Sequence, residues 1–175
     1  MDRRIKRTRT AIFNAVLELL VEKGTDKITV LELCKKADIN KSTFYLHYNS
    51  IDDCLQACFK TIMDGVIDLS KHINYYDTAR NPKPTIDALL NEVEKSIDYI
   101  NKFKSSSICG PSLKMLKESL VNCIAENSGF TTEENYMEIA NIAFCIAGFT
   151  DAIMHQLPVF DKEKLSRALC HFIRN

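Results

Sequence analysis

The sequence predicts an all-α protein with a short basic front end and a longer helical body. Apolar residues recur at three- and four-residue intervals over most of the chain, the spacing of one face of a helix. No β-rich run shows the period-two alternation of a half-buried strand. Five Gly and four Pro in 175 residues are too few for the many turns of an all-β fold.

The elements follow in order. Ile5, Ile12, Phe13, Val16, Leu17 and Leu20 mark a first helix, and Gly24 suits the left-handed residue just past its end. "TVLE" at 29–32 reads as a capping box, with Thr29 capping and Glu32 reaching back. It opens a short helix over about 30–37, with Leu31, Leu33 and Cys34 as its apolar side. A tight "DIN" turn ends on Asn40, a cap for a second short helix over 41–48. Ser50 and Asp53 start a long helix to about Leu69, with Leu55, Cys58, Phe59, Ile62, Met63, Val66 and Ile67 in period. "YYDTARNPKP" at 75–84 reads as a break. Further helices are expected over about 85–104, 111–127, 132–157 and 162–174. Gly129 and Pro158 separate the last three, and Thr131 with Glu134 forms another capping box.

Composition narrows the function. With 46% hydrophobic and 26% charged residues, the chain reads as an ordinary soluble globular protein able to bury a core. Net charge is zero, but residues 1–48 carry +4 and the rest −4. Arg3, Arg4, Lys6, Arg7 and Arg9 crowd the first nine residues. Seven Cys, with no CxxC pair and no secretory signal, fit a reduced, cytoplasmic setting. The apolar run 139–149 is interrupted by Asn141 and Asp151, short of the ~20 residues a membrane helix needs. Scattered His and Cys give no structural metal site, and no cofactor is implied. No G-x-S-x-G, P-loop, HExxH or Gly-rich dinucleotide signature points to an enzyme.

The stretch Lys41–Tyr48, "KSTFYLHY", carries the sharpest signal. A helical wheel puts Phe44 and Tyr48 together, able to pack with Ile39 on Leu33 and Leu55. Ser42, Thr43, Leu46 and His47 fall on the other side, with Lys41 and Tyr45 at an edge. So short a helix cannot hold itself together and must be braced by its neighbours. Helix, tight turn and short helix make a helix-turn-helix, about 30–48, whose second helix can enter a DNA major groove. Hydroxyls, His and Lys suit phosphates and base edges, and Leu46 suits a thymine methyl. The start of the "TVLE" helix and the Thr29 hydroxyl face a phosphate in this reading. Arg3, Arg4, Lys6 and Arg7 lie along the DNA backbone or reach a minor groove. The bland alternative is a helix-turn-helix that never touches DNA, with Tyr45 and Tyr48 in the core and His47 on the surface.

Residues 11–55, "AIFNAVLELLVEKGTDKITVLELCKKADINKSTFYLHYNSIDDCL", resemble the TetR family of transcriptional regulators. "TFYLHY" at 43–48, "ITV" at 28–30 and Gly24 carry the match at the family's spacings. The resemblance implies phosphate contact at Thr29, base reading by Lys41, Ser42 and Thr43, and phosphate or sugar contact by Tyr45 and His47. It departs at Ile51, where Lys is common, at Asn49, where Pro or Lys is common, and at Leu46, where Arg or a polar residue is common. It implies a DNA-binding domain over 1–65 and a C-terminal helical domain over 66–175 for dimerisation and effector binding. The expected protein is a homodimeric repressor of a palindromic double-stranded operator, released by a small molecule that the sequence does not name. The alternative is a helical protein-interaction or co-activator module of the same fold.

The body adds physical support for a pair. Small residues, among them Ala147 and Gly148, would allow close helix approach, and Phe144 adds bulk. With Leu165, Leu169 and Phe172 of the last helix they could form a four-helix bundle between two copies. The same residues could equally be internal core. Tyr75, Tyr76, Tyr99, Tyr136, His72 and His155 are candidates to line a cavity, although each also suits core or surface. Cys54 and Cys58, four apart, read as a thiol sensor or, better, as small buried hydrophobes.

Overall fold

Helix ends in this chain are set mainly by side-chain caps, and the computed structural model shows each of them at atomic detail. It describes residues 3–23, 27–104, 106, 108–156 and 160–174. The expectations for Gly24, Leu157 and Pro158 lie outside the described residues. Among the described residues there are nine helices and no strand, so the fold is all-α. They are α1 (Arg3–Lys23), α2 (Val30–Lys36), α3 (Lys41–Tyr45), α4 (Ile51–Ser70), α5 (Tyr75–Arg80), α6 (Pro82–Phe103), α7 (Cys109–Asn127), α8 (Tyr136–Gln156) and α9 (Lys162–Arg174).

The chain divides into two units. The first comprises residues 1–62 and 98–112, and the second residues 63–97 and 113–175. In the first unit α1 buries Ile12, Val16, Leu17, Leu19 and Leu20. Leu33, Phe44, Cys54 and Leu55 are fully buried, and the Phe59 and Phe103 rings meet edge to face at 6.0 Å. Lys36 pairs with Glu18 at 3.1 Å and Glu22 at 2.5 Å, which ties α2 to α1.

In the second unit Asn74 caps α5 by accepting from the Tyr76 and Asp77 amides. The Asn127 carboxamide donates to the Ile73 carbonyl at 2.9 Å, and the Ser128 hydroxyl accepts from the Tyr75 amide at 2.9 Å. α9 is pinned to α6: Ser166 donates to Asp87 at 2.5 Å, and Lys162 reaches Asn91 and Glu94. Gly129 follows α7 at φ +72°, while the Phe130 amide bonds back to the Ala125 carbonyl at 2.9 Å. That left-handed turn is why a glycine stands there.

Several expectations are corrected. Residues 75–84 are no break: α5 occupies Tyr75–Arg80 and α6 begins at Pro82. Proline at a helix's first position loses no hydrogen bond, so the two prolines start a helix here. The Thr131 hydroxyl does accept from the Glu134 amide, at 3.3 Å, but it closes a turn, and α8 starts only at Tyr136. Leu31 is 63% exposed. It lies about 200° around α2 from Leu33, so it cannot share that residue's inward side. Ile5 is 38% exposed, because the buried face of α1 begins at Ile12. The run 139–149 is embedded in a longer apolar helix: Tyr136–His155 has the length and composition to cross a membrane, and 28% of it is buried. An ion pair at 2.9 Å between Asp151 on this helix and Lys117 on α7 holds it in the second unit.

Candidate nucleic-acid interface

The turn between α2 and α3 sets the phase of everything after it. Asp38 adopts φ 52°, a left-handed conformation that Asp tolerates better than most residues. The Ile39 amide then bonds the Cys34 carbonyl at 3.0 Å, closing a Schellman-type helix end. Asn40 follows at φ −86° and caps α3 by accepting from the Thr43 amide at 2.8 Å. α3 proper ends at Tyr45, three residues earlier than expected. Helical hydrogen bonding continues into the next turn, from the Tyr48 amide to the Phe44 carbonyl at 3.0 Å. Phe44 and Tyr48 therefore keep their four-residue spacing and face one way.

That way is inward. Phe44 is 0% exposed and Tyr48 is 9% exposed, with ring centroids 5.7 Å apart. Burial pushes the Tyr48 phenol up to about 12. The opposite side is open: Lys41, Ser42, Tyr45 and Leu46 are exposed, Leu46 at 83%. Thr43 and His47 are half-buried. The Ser42 and Thr43 hydroxyls each donate to the Asn40 carboxamide oxygen at 2.7 Å. In this arrangement both hydroxyls present lone pairs outward. Asn40 was expected as a cap, but its gathering of two reading residues was not. Ser and Thr two and three places after an Asn cap are the sequence signal for it.

Thr29 is exposed and caps α2 with the full capping box. Its hydroxyl donates to Glu32 at 2.7 Å, and its amide donates to the same oxygen at 3.0 Å. The other Glu32 oxygen meets Lys23 at 2.6 Å. Lys23, followed by Thr29, holds the Glu32 carboxyl at about 2, below the ordinary 4.5. A carboxylate thus sits at the end of α2 where a phosphate was expected. The unfolded chain takes up this proton first as pH falls. The stabilisation is therefore complete above pH ~4.5 and is lost as pH falls toward about 2. Thermal melts at stepped pH should show wild type losing stability across that window more steeply than Glu32→Gln.

Arg3, Arg4, Lys6 and Arg7 are exposed and helical from the start of α1. Arg3, Lys6, Arg7, Thr10 and Asn14 line one shallow groove along its first turns. They are presented by a rigid helix rather than by an extended arm.

The sites expected in the body are partly brought together. Phe144 and Phe172 are 65% and 47% exposed, with ring centroids 5.4 Å apart. Gly148 is exposed and Ala147 half-buried. Leu165 and Leu169 are buried within the second unit, so they fill the chain's own core. Of the six Tyr and His candidates, Tyr75 lines an apolar cavity in this unit. Tyr76, Tyr99, Tyr136, His72 and His155 are exposed. Cys54 and Cys58 are buried. The Cys54 thiol is pushed strongly up by its bond with Cys58 and by burial, so it is a poor nucleophile. Among the described residues no cluster of His, Cys, Asp and Glu could hold a metal ion.

A short helix sealed on one side, open on the other, and set by a tight turn on a preceding helix is a helix-turn-helix module. Residues 12–58 match the family model of bacterial regulatory proteins, tetR family. This segment is a tetR-type helix-turn-helix domain. The chain is also similar to two proteins of Bacillus subtilis (strain 168), both described as uncharacterized HTH-type transcriptional regulators. YxbF is 36% identical over 69 residues, which cover 39% of this chain and 18% of that protein. YvdT is 32% identical over 60 residues, covering 34% of this chain and 31% of that protein. The matched region thus spans less than a third of either relative.

Proposed function

We propose that this chain is a DNA-binding transcriptional regulator, a homodimeric repressor of a palindromic operator that a small-molecule effector releases. The observation that carries the reading is the split of one short helix. Phe44 and Tyr48 anchor it from behind, while Lys41, Ser42, Tyr45 and Leu46 stand outward. Lys41 neutralises phosphate or reaches guanine, Ser42 and Thr43 meet base edges, and Tyr45 and His47 meet phosphate or sugar. The groove of Arg3, Lys6 and Arg7 follows the DNA backbone. Thr29 contributes less, because Glu32 already holds its hydroxyl.

The pair forms through α8 and α9. Phe144, Phe172 and Gly148 give these helices an exposed apolar face, which a second copy covers as a four-helix bundle. Two reading heads then meet half-sites about 34 Å apart or more. Phe144→Asp is expected to place two carboxylates in that bundle and convert the dimer to monomer. Sedimentation of wild type and variant at equal concentration reads the change, and an unchanged mass would remove this face from the proposal.

A second reading, a protein-interaction or co-activator module, draws on the Glu32 carboxylate at the start of α2 and on Leu46. Genome-wide capture of bound DNA fragments tests the two. Recovery of a shared inverted repeat supports the regulator, and recovery of no common sequence supports the module.

A further inference from the structure

The cavity of the second unit has a volume of about 120 Å³. Its walls include Ile86, Ile142, Ile146 and Phe149, all buried. No Asp, Glu, Lys, Arg or His lines it among the described residues. Its polar groups are few. Thr78 and Thr85 bond each other at 3.2 Å. Asn141 donates to the Tyr75 phenol oxygen at 3.2 Å and accepts from the Cys145 thiol at 3.3 Å. Burial pushes the Cys145 thiol up, so it adds no charge.

We propose that this cavity binds a neutral, mostly hydrocarbon ligand of about one six-membered ring, with a single oxygen held by Tyr75 and Asn141. The inference rests on the reading that the second unit receives an effector, and it names the class of that effector. An ion would enter with no countercharge and would lose its hydration, a cost no wall group offsets. A cavity of ~150 Å³ lined by Leu, Ile and Phe accepts benzene, so the space here suits a molecule of that size. The Tyr75 oxygen accepts from Asn141, and the phenol's own hydrogen is the donor to a ligand hydroxyl or carbonyl. Asn141 is exposed and Phe172 half-exposed, which puts the mouth beside the exposed Phe144 ring.

Calorimetric titration of the full chain with benzyl alcohol, toluene, benzoate and benzylammonium tests this. Benzyl alcohol and toluene should bind, the alcohol about five-fold tighter for its one hydrogen bond. The two ions should not bind. Tyr75→Phe should abolish the preference for the alcohol and leave toluene binding unchanged, and Asn141→Ala should reduce the same preference. Binding of benzoate or benzylammonium as tight as that of toluene would overturn the inference. So would failure of both neutral rings to bind, or a preference that survives Tyr75→Phe. Operator binding measured alongside separates the two readings. Neutral rings that bind without changing DNA affinity support this ligand class and overturn the effector role.

Discussion

Lys41→Ala and Tyr45→Ala together are expected to weaken DNA binding by a few kcal/mol in total, at about 1–3 kcal/mol for a contact that reads a base edge. Both side chains are exposed, Tyr45 at 56%, and neither is part of the core that braces the helix. The double variant should therefore keep its helix content and melting temperature while losing affinity. Gel shifts with a captured fragment measure the loss, and circular dichroism checks the fold. Unchanged affinity would mean that another surface contacts DNA. The two single variants should differ in kind. Loss of a phosphate contact weakens all sequences alike, whereas loss of a base contact relaxes preference at one position.

Phe44→Ala is expected to have the largest effect on stability, about 3–5 kcal/mol. The ring is fully buried, 5.3 Å from the Tyr45 ring and 5.7 Å from that of Tyr48. Its removal leaves a cavity behind a helix too short to persist alone. Denaturant unfolding should show the first unit losing its transition, and DNA binding should fall with it. Phe44→Leu, which retains most of the volume, should recover much of both. A Phe44→Ala protein with wild-type stability would show that the helix is held by something other than this anchor.

The site was legible where a fixed turn sets the phase of short helices. Once Asn40 was read as a cap, the inward pair Phe44 and Tyr48 and the outward Lys41 and Leu46 followed from geometry. The capping box at Thr29 and Glu32 was equally plain, because both partners are local in sequence. Its consequence was not. The arrival of Lys23 at Glu32 requires the chain to fold back through nine residues. Periodicity gave too much to Leu31 and Ile5, since it reports a possible face but not whether a neighbour covers it. Leu165 and Leu169 show the same limit in reverse: an apolar residue on a terminal helix can serve its own core as well as a partner. Residues 75–84 misled because two prolines were read as a break, when their position beside the Asn74-capped turn makes them a start. The cavity was invisible, since its walls come from segments far apart in the chain.

The most direct test of the central claim, that the open side of α3 enters a DNA groove, is the salt dependence of binding to a captured fragment. For a pair of heads making 6–10 phosphate contacts, affinity should fall by about 10³–10⁵ between roughly 50 and 200 mM salt. Lys41→Ala should reduce the slope by about one for each phosphate it released. An affinity that stays flat across that range, or a slope untouched by the substitution, would contradict the account.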